Sequence, residues 1–93
     1  MLYCLLRPDL STDPNLERRW EEAVLEHVDG LTYEDGVNGV WKSPEGDIVR
    51  ERMQRVLIEC SSSQLFAVMR LTKQVLKQYS VIVWKVSDNV WVN

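Results

Sequence analysis

The sequence predicts an α+β fold of the ferredoxin-like βαββαβ type, a four-stranded antiparallel sheet with two helices on one face. Three observations predict it. Two amphipathic helical stretches each follow a capping signal. Short β-rich runs stand before, between and after them. Turn residues separate the two middle runs, so neighbouring strands reverse direction.

Leu2 to Leu6 is a short apolar run ended by Arg7-Pro8, which favours a strand. Asp13 then caps a helix and Pro14 fits its first position, where a missing N–H costs nothing. Leu16, Trp20, Val24 and Val28 recur at helical spacing, with Leu25 beside them, and form one apolar stripe. Gly30 is expected to stop this helix. Leu31 to Trp41 reads as a second strand, interrupted or bulged near Gly36–Gly39. Ser43-Pro44-Glu45-Gly46 is a tight turn. A long third strand follows from Ile48 to Cys60. Ser61 with Gln64 makes a capping box, and a second helix runs to about Tyr79. Its stripe is Leu65, Val68, Met69, Thr72, Val75, Leu76 and Tyr79. Val81 to Val86 is the fourth strand. Val90-Trp91-Val92 is read as a short fifth, after the Ser87-Asp88-Asn89 turn.

The chain of 93 residues reads as one domain, residues 1–93, with 45% hydrophobic and 27% charged residues. No apolar run approaches the ~20 residues that span a bilayer, and the start of the chain does not read as an export signal. A cytoplasmic location without a membrane partner is therefore expected. The net charge is −3, which argues against a general nucleic-acid partner. The RNA-recognition module shares this fold and stacks bases on central-strand aromatics. Met53 to Cys60 offers none. Charge is uneven: residues 1–47 carry −7 and residues 48–93 carry +4. An acidic first helix beside a basic second one would account for much of this. Cys4 and Cys60 lie in apolar runs, where a buried pair of free thiols is expected, and no zinc-ligand spacing exists. No cofactor or metal is implied.

Both faces of the first and fourth strands are apolar, so the sheet face without helices is expected to meet something. A second copy is the favoured occupant, with a dimer the simplest form. Tyr3, Leu5, Leu57, Trp84 and Trp91 are the expected interface residues. Arg50 and Arg52 share a strand face and Glu51 takes the other; two guanidinium forks suit a carboxylate or phosphate, and Trp41 could stack on such a ligand. Tyr3 and His27 complete the candidate ligand-binding set. The competing reading makes the arginines a solubilising lattice on an edge strand, and His27 a solvated boundary residue.

The segment GLTYEDGVNGVWKSPEGDIVRE runs from Gly30 to Glu51. It resembles a family of small bacterial proteins of unknown function with a GLT…DG.G.W…G.IVRE-like pattern. Trp20 resembles that family's tryptophan in the first helix. The resemblance implies a small ferredoxin-like domain without an established activity. Size and element order also look like the dimeric α/β-barrel proteins, which include small monooxygenases and isomerases, and the trimeric signalling proteins of nitrogen regulation.

The expected function is a non-enzymatic, homo-oligomeric binding or regulatory module that associates through its open sheet face. The alternatives are a small cofactor-free α/β-barrel enzyme acting on a hydrophobic or anionic metabolite, or a partner-blocking protein from a mobile element.

Overall fold

Strand alternation and two well-capped helices build the architecture. The structure is a computed structural model and describes residues 1–87. Its elements are β1 (Leu2–Pro8), α1 (Pro14–Leu25), β2 (Thr32–Tyr33), β3 (Val37–Lys42), β4 (Ile48–Glu59), α2 (Ser62–Val75) and β5 (Ile82–Ser87). All pairings are antiparallel. The order is β2-β4-β1-β5, with β3 also paired to β4. This is the ferredoxin-like arrangement, with the predicted second strand split into β2 and β3. The expected strand at Val90–Val92, and Trp91 with it, lie outside the described residues.

The split has a cause in register. Tyr33 faces Val56 and Val37 faces Met53. The chain thus takes one more step than its partner between these pairs, which is a bulge. An extra residue reverses the alternation of faces. Tyr33 therefore points to the helix side, and Trp41, opposite Val49, points to the open side. The irregularity falls at Glu34–Gly36, earlier than expected. Gly39 sits in regular register opposite Glu51, and its φ is not positive. It is needed for space: a Cβ there would lie 2.7 Å from Cζ3 of Trp41 and 3.1 Å from Cγ of Met53. Among the described glycines only Gly46 has positive φ, at 90°, in the turn that its N–H closes onto the Ser43 carbonyl.

Helix α1 starts as its sequence dictates: the Asp13 carboxylate accepts the Leu16 N–H at 3.2 Å, with Pro14 in the first turn. It ends at Leu25, not near Gly30. The N–H groups of His27 and Val28 both turn back onto the Val24 carbonyl, which closes the helix without glycine. Helix α2 carries the full capping box between Ser61 and Gln64. It ends at Val75 rather than near Tyr79. Lys77 takes a left-handed φ of 52°, and the Gln78 N–H reaches the Lys73 carbonyl at 3.0 Å. That closure usually employs glycine. Tyr79 consequently leaves the stripe and is exposed.

The core lies between sheet and helices. Tyr3, Leu5, Val56 and Ile58 from the sheet meet Trp20, Val24, Leu65 and Val68 from the helices, with Val28 and Leu76 at the margins. This corrects two expectations: Tyr3 and Leu5 face the helices and not the open side. The open side carries the other parity, Leu2, Cys4 and Leu6, together with Leu57 and Trp84. Trp20 is fully buried and donates its indole N–H to the Thr72 hydroxyl at 2.9 Å. That hydroxyl in turn donates to the Val68 carbonyl at 2.7 Å.

The helices do touch, yet among the described residues no ion pair links them. Acids of the first half meet bases of the second through strands and loops: Arg52 lies 3.9 Å from Asp9, and Arg55 3.6 Å from Glu34. The charge asymmetry is thus partly neutralised at the sheet, not between the helices.

Thr72→Val keeps the shape but strands the buried indole N–H. It should cost about 1–3 kcal/mol, read as a lower urea midpoint. Gly39→Val should cost about 1–3 kcal/mol through overpacking against Trp41 and Met53. An unchanged melting temperature would show that the Trp41 ring yields freely.

Candidate functional site

The register of β4 builds the site. Its pairing with β1 ends where Met53 faces Pro8. The Arg52 carbonyl still accepts the Asp9 N–H at 2.9 Å, but Ile48–Glu51 pairs only with β3, so the β3–β4 hairpin runs on past the sheet as a two-stranded arm. A cleft of about 410 Å³ lies between this arm and the loop that leads from α2 to β5. Leu6, Met53 and Ile82 from the open face form its apolar side. Trp41, Val49 and Glu51 enter from the arm. Lys42 to Pro44 and Lys77 to Ser80 form the rims.

Glu51 is the polar side chain that stands out. It is half-buried, and among the described residues it makes no hydrogen bond and no ion pair. Burial alone pushes its carboxyl above the usual carboxylate range. Lys42 and Lys77 also line the cleft, without pairing to Glu51. Lys77 is the residue held at positive φ. A lysine there is strained by about 1–2 kcal/mol relative to glycine.

The predicted ligand-binding residues are not brought together. Trp41 lines the cleft. Arg50 and Arg52 lie on the other face of the arm, opposite Val40 and Asn38. Arg50 is exposed, and Arg52 donates to the Asn38 side chain at 3.4 Å. Tyr3 is buried under the helices with its hydroxyl on the Met1 sulfur. His27 is exposed in the turn after α1, where its carbonyl accepts from the Gln64 side chain. Glu51, Met53 and Lys77 went unread as site residues. Alternation already separated Glu51 from the two arginines; the bulge that turns Trp41 towards it left no clear mark.

A second polar cluster is structural. Arg7 is buried, with its guanidinium 4.7 Å from the Trp20 ring and 5.1 Å from the Tyr33 ring. It pairs with Glu17 at 2.9 Å and donates to the Pro8 carbonyl. The Tyr33 hydroxyl donates to Glu21. Burial and that carboxylate together raise the tyrosine's pKa. Cys4 and Cys60 are free and buried, and burial raises both thiols. Among the described residues no group of His, Cys, Asp and Glu side chains is placed to hold a metal ion. No described helix is long and apolar enough to cross a membrane.

No known sequence family and no curated protein matches the chain. Solved structures do match its fold. The divalent cation tolerance protein CutA1 from Thermus thermophilus is similar with a TM-score of 0.65 at 10% identity, over 96% of this chain and 85% of that one. CutA1 from Oryza sativa gives 0.64 at 14%, over 96% and 81%. A phage SAM lyase in complex with S-methyl-5′-thioadenosine gives 0.64 at 16%, over 88% and 76%. At these identities the likeness is one of fold. It gives the ferredoxin-like reading independent support and leaves the sequence resemblance of Gly30–Glu51 resting on its own residues.

The raised pKa of Glu51 makes stability depend on pH in a definite direction. The folded chain holds this proton more tightly than the unfolded one. The stability linked to it is present below the unfolded pKa and lost as pH rises through the folded pKa. Glu51→Gln mimics the protonated form. The variant should melt above the wild type at pH 7, and the difference should vanish below about pH 4.

Proposed function

We propose that this chain is a homo-oligomeric binding module that assembles through its open sheet face and takes a small ligand in the cleft beside the arm. The observation that carries the reading is the state of that face. Leu2, Leu6 and Leu57 are only half-buried on it, and Ile82 and Trp84 are mostly exposed, at 51% and 41%. Among the described residues loops only border them, Lys77–Ser80 beside Leu6 and Ile82 and Asp29–Leu31 beside Leu2 and Leu57. Arg55 and Glu59 share that face, opposite Leu6 and Leu2, yet the exposed apolar side chains among them favour a macromolecular partner over water.

A second copy fits this face for a further reason. Among the described residues, the β4 edge at Ile48–Glu51 has no neighbour opposite β3, and β5 pairs only with β1. One chain thus presents two open strand edges as well as an apolar face, all of which a copy of itself can satisfy. A two-fold dimer is the simplest closed assembly. Charged Arg50, Glu51 and Arg52 on the arm discourage unlimited edge pairing. The CutA1 neighbours are named for divalent cation tolerance, a physiological role and not a reaction, and this agrees with a non-enzymatic module.

One observation favours the enzyme alternative. A neighbour of the same fold is a lyase with a nucleoside thioether bound. The cleft here is large enough for such a body. Its unpaired carboxylate, however, disfavours the anionic metabolite that the sequence reading allowed.

Light scattering at micromolar concentration should give a multiple of 10.9 kDa. Trp84→Glu places a charge on the proposed interface and should shift the mass to that of one chain. A wild type that already scatters as a 10.9 kDa monomer would overturn the assembly.

A further inference from the structure

The cleft lacks features that its own side chains would need if it were merely surface. Trp41 is held in place: its ring lies over Gly39, where a Cβ would collide with it. Beside it, the Glu51 carboxylate is partly withdrawn from water and has no cationic partner among the described residues. Two lysines line the same cleft, yet neither pairs with it. One of them, Lys77, keeps a backbone conformation that glycine would adopt at less cost. The cleft thus holds a partly desolvated carboxylate and two lysines without an ion pair between them.

From this arrangement we infer that the cleft binds a small zwitterion with an apolar or aromatic body, its sulfonium or quaternary ammonium centre lying between the Trp41 ring and the Glu51 carboxylate and its acidic group towards Lys42 and Lys77. The ring face attracts a cation through its quadrupole, and it does so more strongly when water is excluded. A bound cation also removes the penalty of the half-buried carboxylate, lowering its pKa. Leu6, Met53 and Ile82 provide the apolar wall for the body of the ligand. Arg50 and Arg52, on the far face of the arm, play no part. This inference rests on the binding-module reading and names the chemical class of its ligand.

The test compares two probes that differ in one charge. S-adenosylmethionine carries a sulfonium and an amino-acid tail; S-adenosylhomocysteine has the same body and tail with a neutral sulfur. Benzyltrimethylammonium serves as a cation without an acidic group. Calorimetric titration and thermal shift are read at fixed ionic strength on wild type, Glu51→Gln, Trp41→Leu and Lys77→Ala. Wild type should bind S-adenosylmethionine about tenfold more tightly than S-adenosylhomocysteine, a ratio set by cation–ring and carboxylate contact. Glu51→Gln should bring the two affinities together, and Trp41→Leu should weaken the sulfonium compound most. Lys77→Ala should weaken both adenosyl compounds and leave benzyltrimethylammonium unchanged. Melting curves without ligand establish that each variant is folded. Light scattering on the same samples reads assembly separately, so a monomer that binds overturns only the oligomer, and an oligomer that does not bind overturns only the ligand. Absence of binding by both cations, equal binding of the adenosyl pair by wild type, or undiminished discrimination in Glu51→Gln would each overturn the inference.

Discussion

A single buried indole ties the layers of this protein together. Trp20 cannot enter the core without an acceptor for its N–H, and the Thr72 hydroxyl provides one across the gap between α1 and α2. Its ring also receives the Arg7 guanidinium from β1. A buried cation is costly unless it is paired. Arg7 is paired by Glu17 on α1 and stacked by Tyr33 on β2. Sheet, first helix and second helix are thereby fixed to one another by polar groups that tolerate little sliding. Apolar burial supplies the driving force, since Leu5, Val24, Val56, Ile58 and Val68 are all fully buried. The Trp20 contacts decide how the layers are aligned.

That alignment has consequences at the opposite face. Tyr33 is drawn to the helix side by Arg7 and Glu21. Further along the same segment, the chain must keep Trp41 on the open side, opposite Val49. One extra residue reconciles the two demands. The bulge between β2 and β3 therefore divides the helix-facing part of the segment from the part that faces the open side. Beyond it the hairpin leaves the sheet, because β1 stops at Pro8 while β4 continues to Ile48. The cleft exists because two paired strands differ in length.

Burial in this chain is incomplete at the open face and on the arm. The helix side is filled, and its buried Trp20 indole and Arg7 guanidinium are each held by polar partners. The open side leaves Ile82 and Trp84 in water, and the arm leaves Glu51 without a counter-charge. In the proposed reading, assembly would answer the first deficit and a cationic ligand the second. Cleft and open face share Leu6 and Ile82, so occupation of one bears on packing at the other. A binding module whose ligand site borders its assembly surface has a direct means of coupling the two.

Element order, the N-terminal caps at Asp13 and Ser61, and the apolar stripes of both helices were legible in the sequence because they are local. Each depends on residues within one or two turns. The helix ends were less legible, since α1 and α2 close on backbone geometry at Glu26–Val28 and Lys77 without a glycine. Strand faces were misread at Tyr3 and Leu5: both parities of β1 are apolar, and alternation alone cannot say which meets the helices. Arg7 read as a strand terminator, because nothing in its neighbourhood announces Trp20, Tyr33 and Glu17 as partners. Half of the cleft was legible as well, with Trp41 singled out and Glu51 separated from the arginines. The sequence by itself thus determined the βαββαβ order and an apolar open face. Only the tertiary structure decided which side each strand presents, and that Trp41 and Glu51 share one cleft while Arg50 and Arg52 do not. Those outcomes follow from cross-strand register, which pairs residues distant in the chain and is reversed by a single inserted residue.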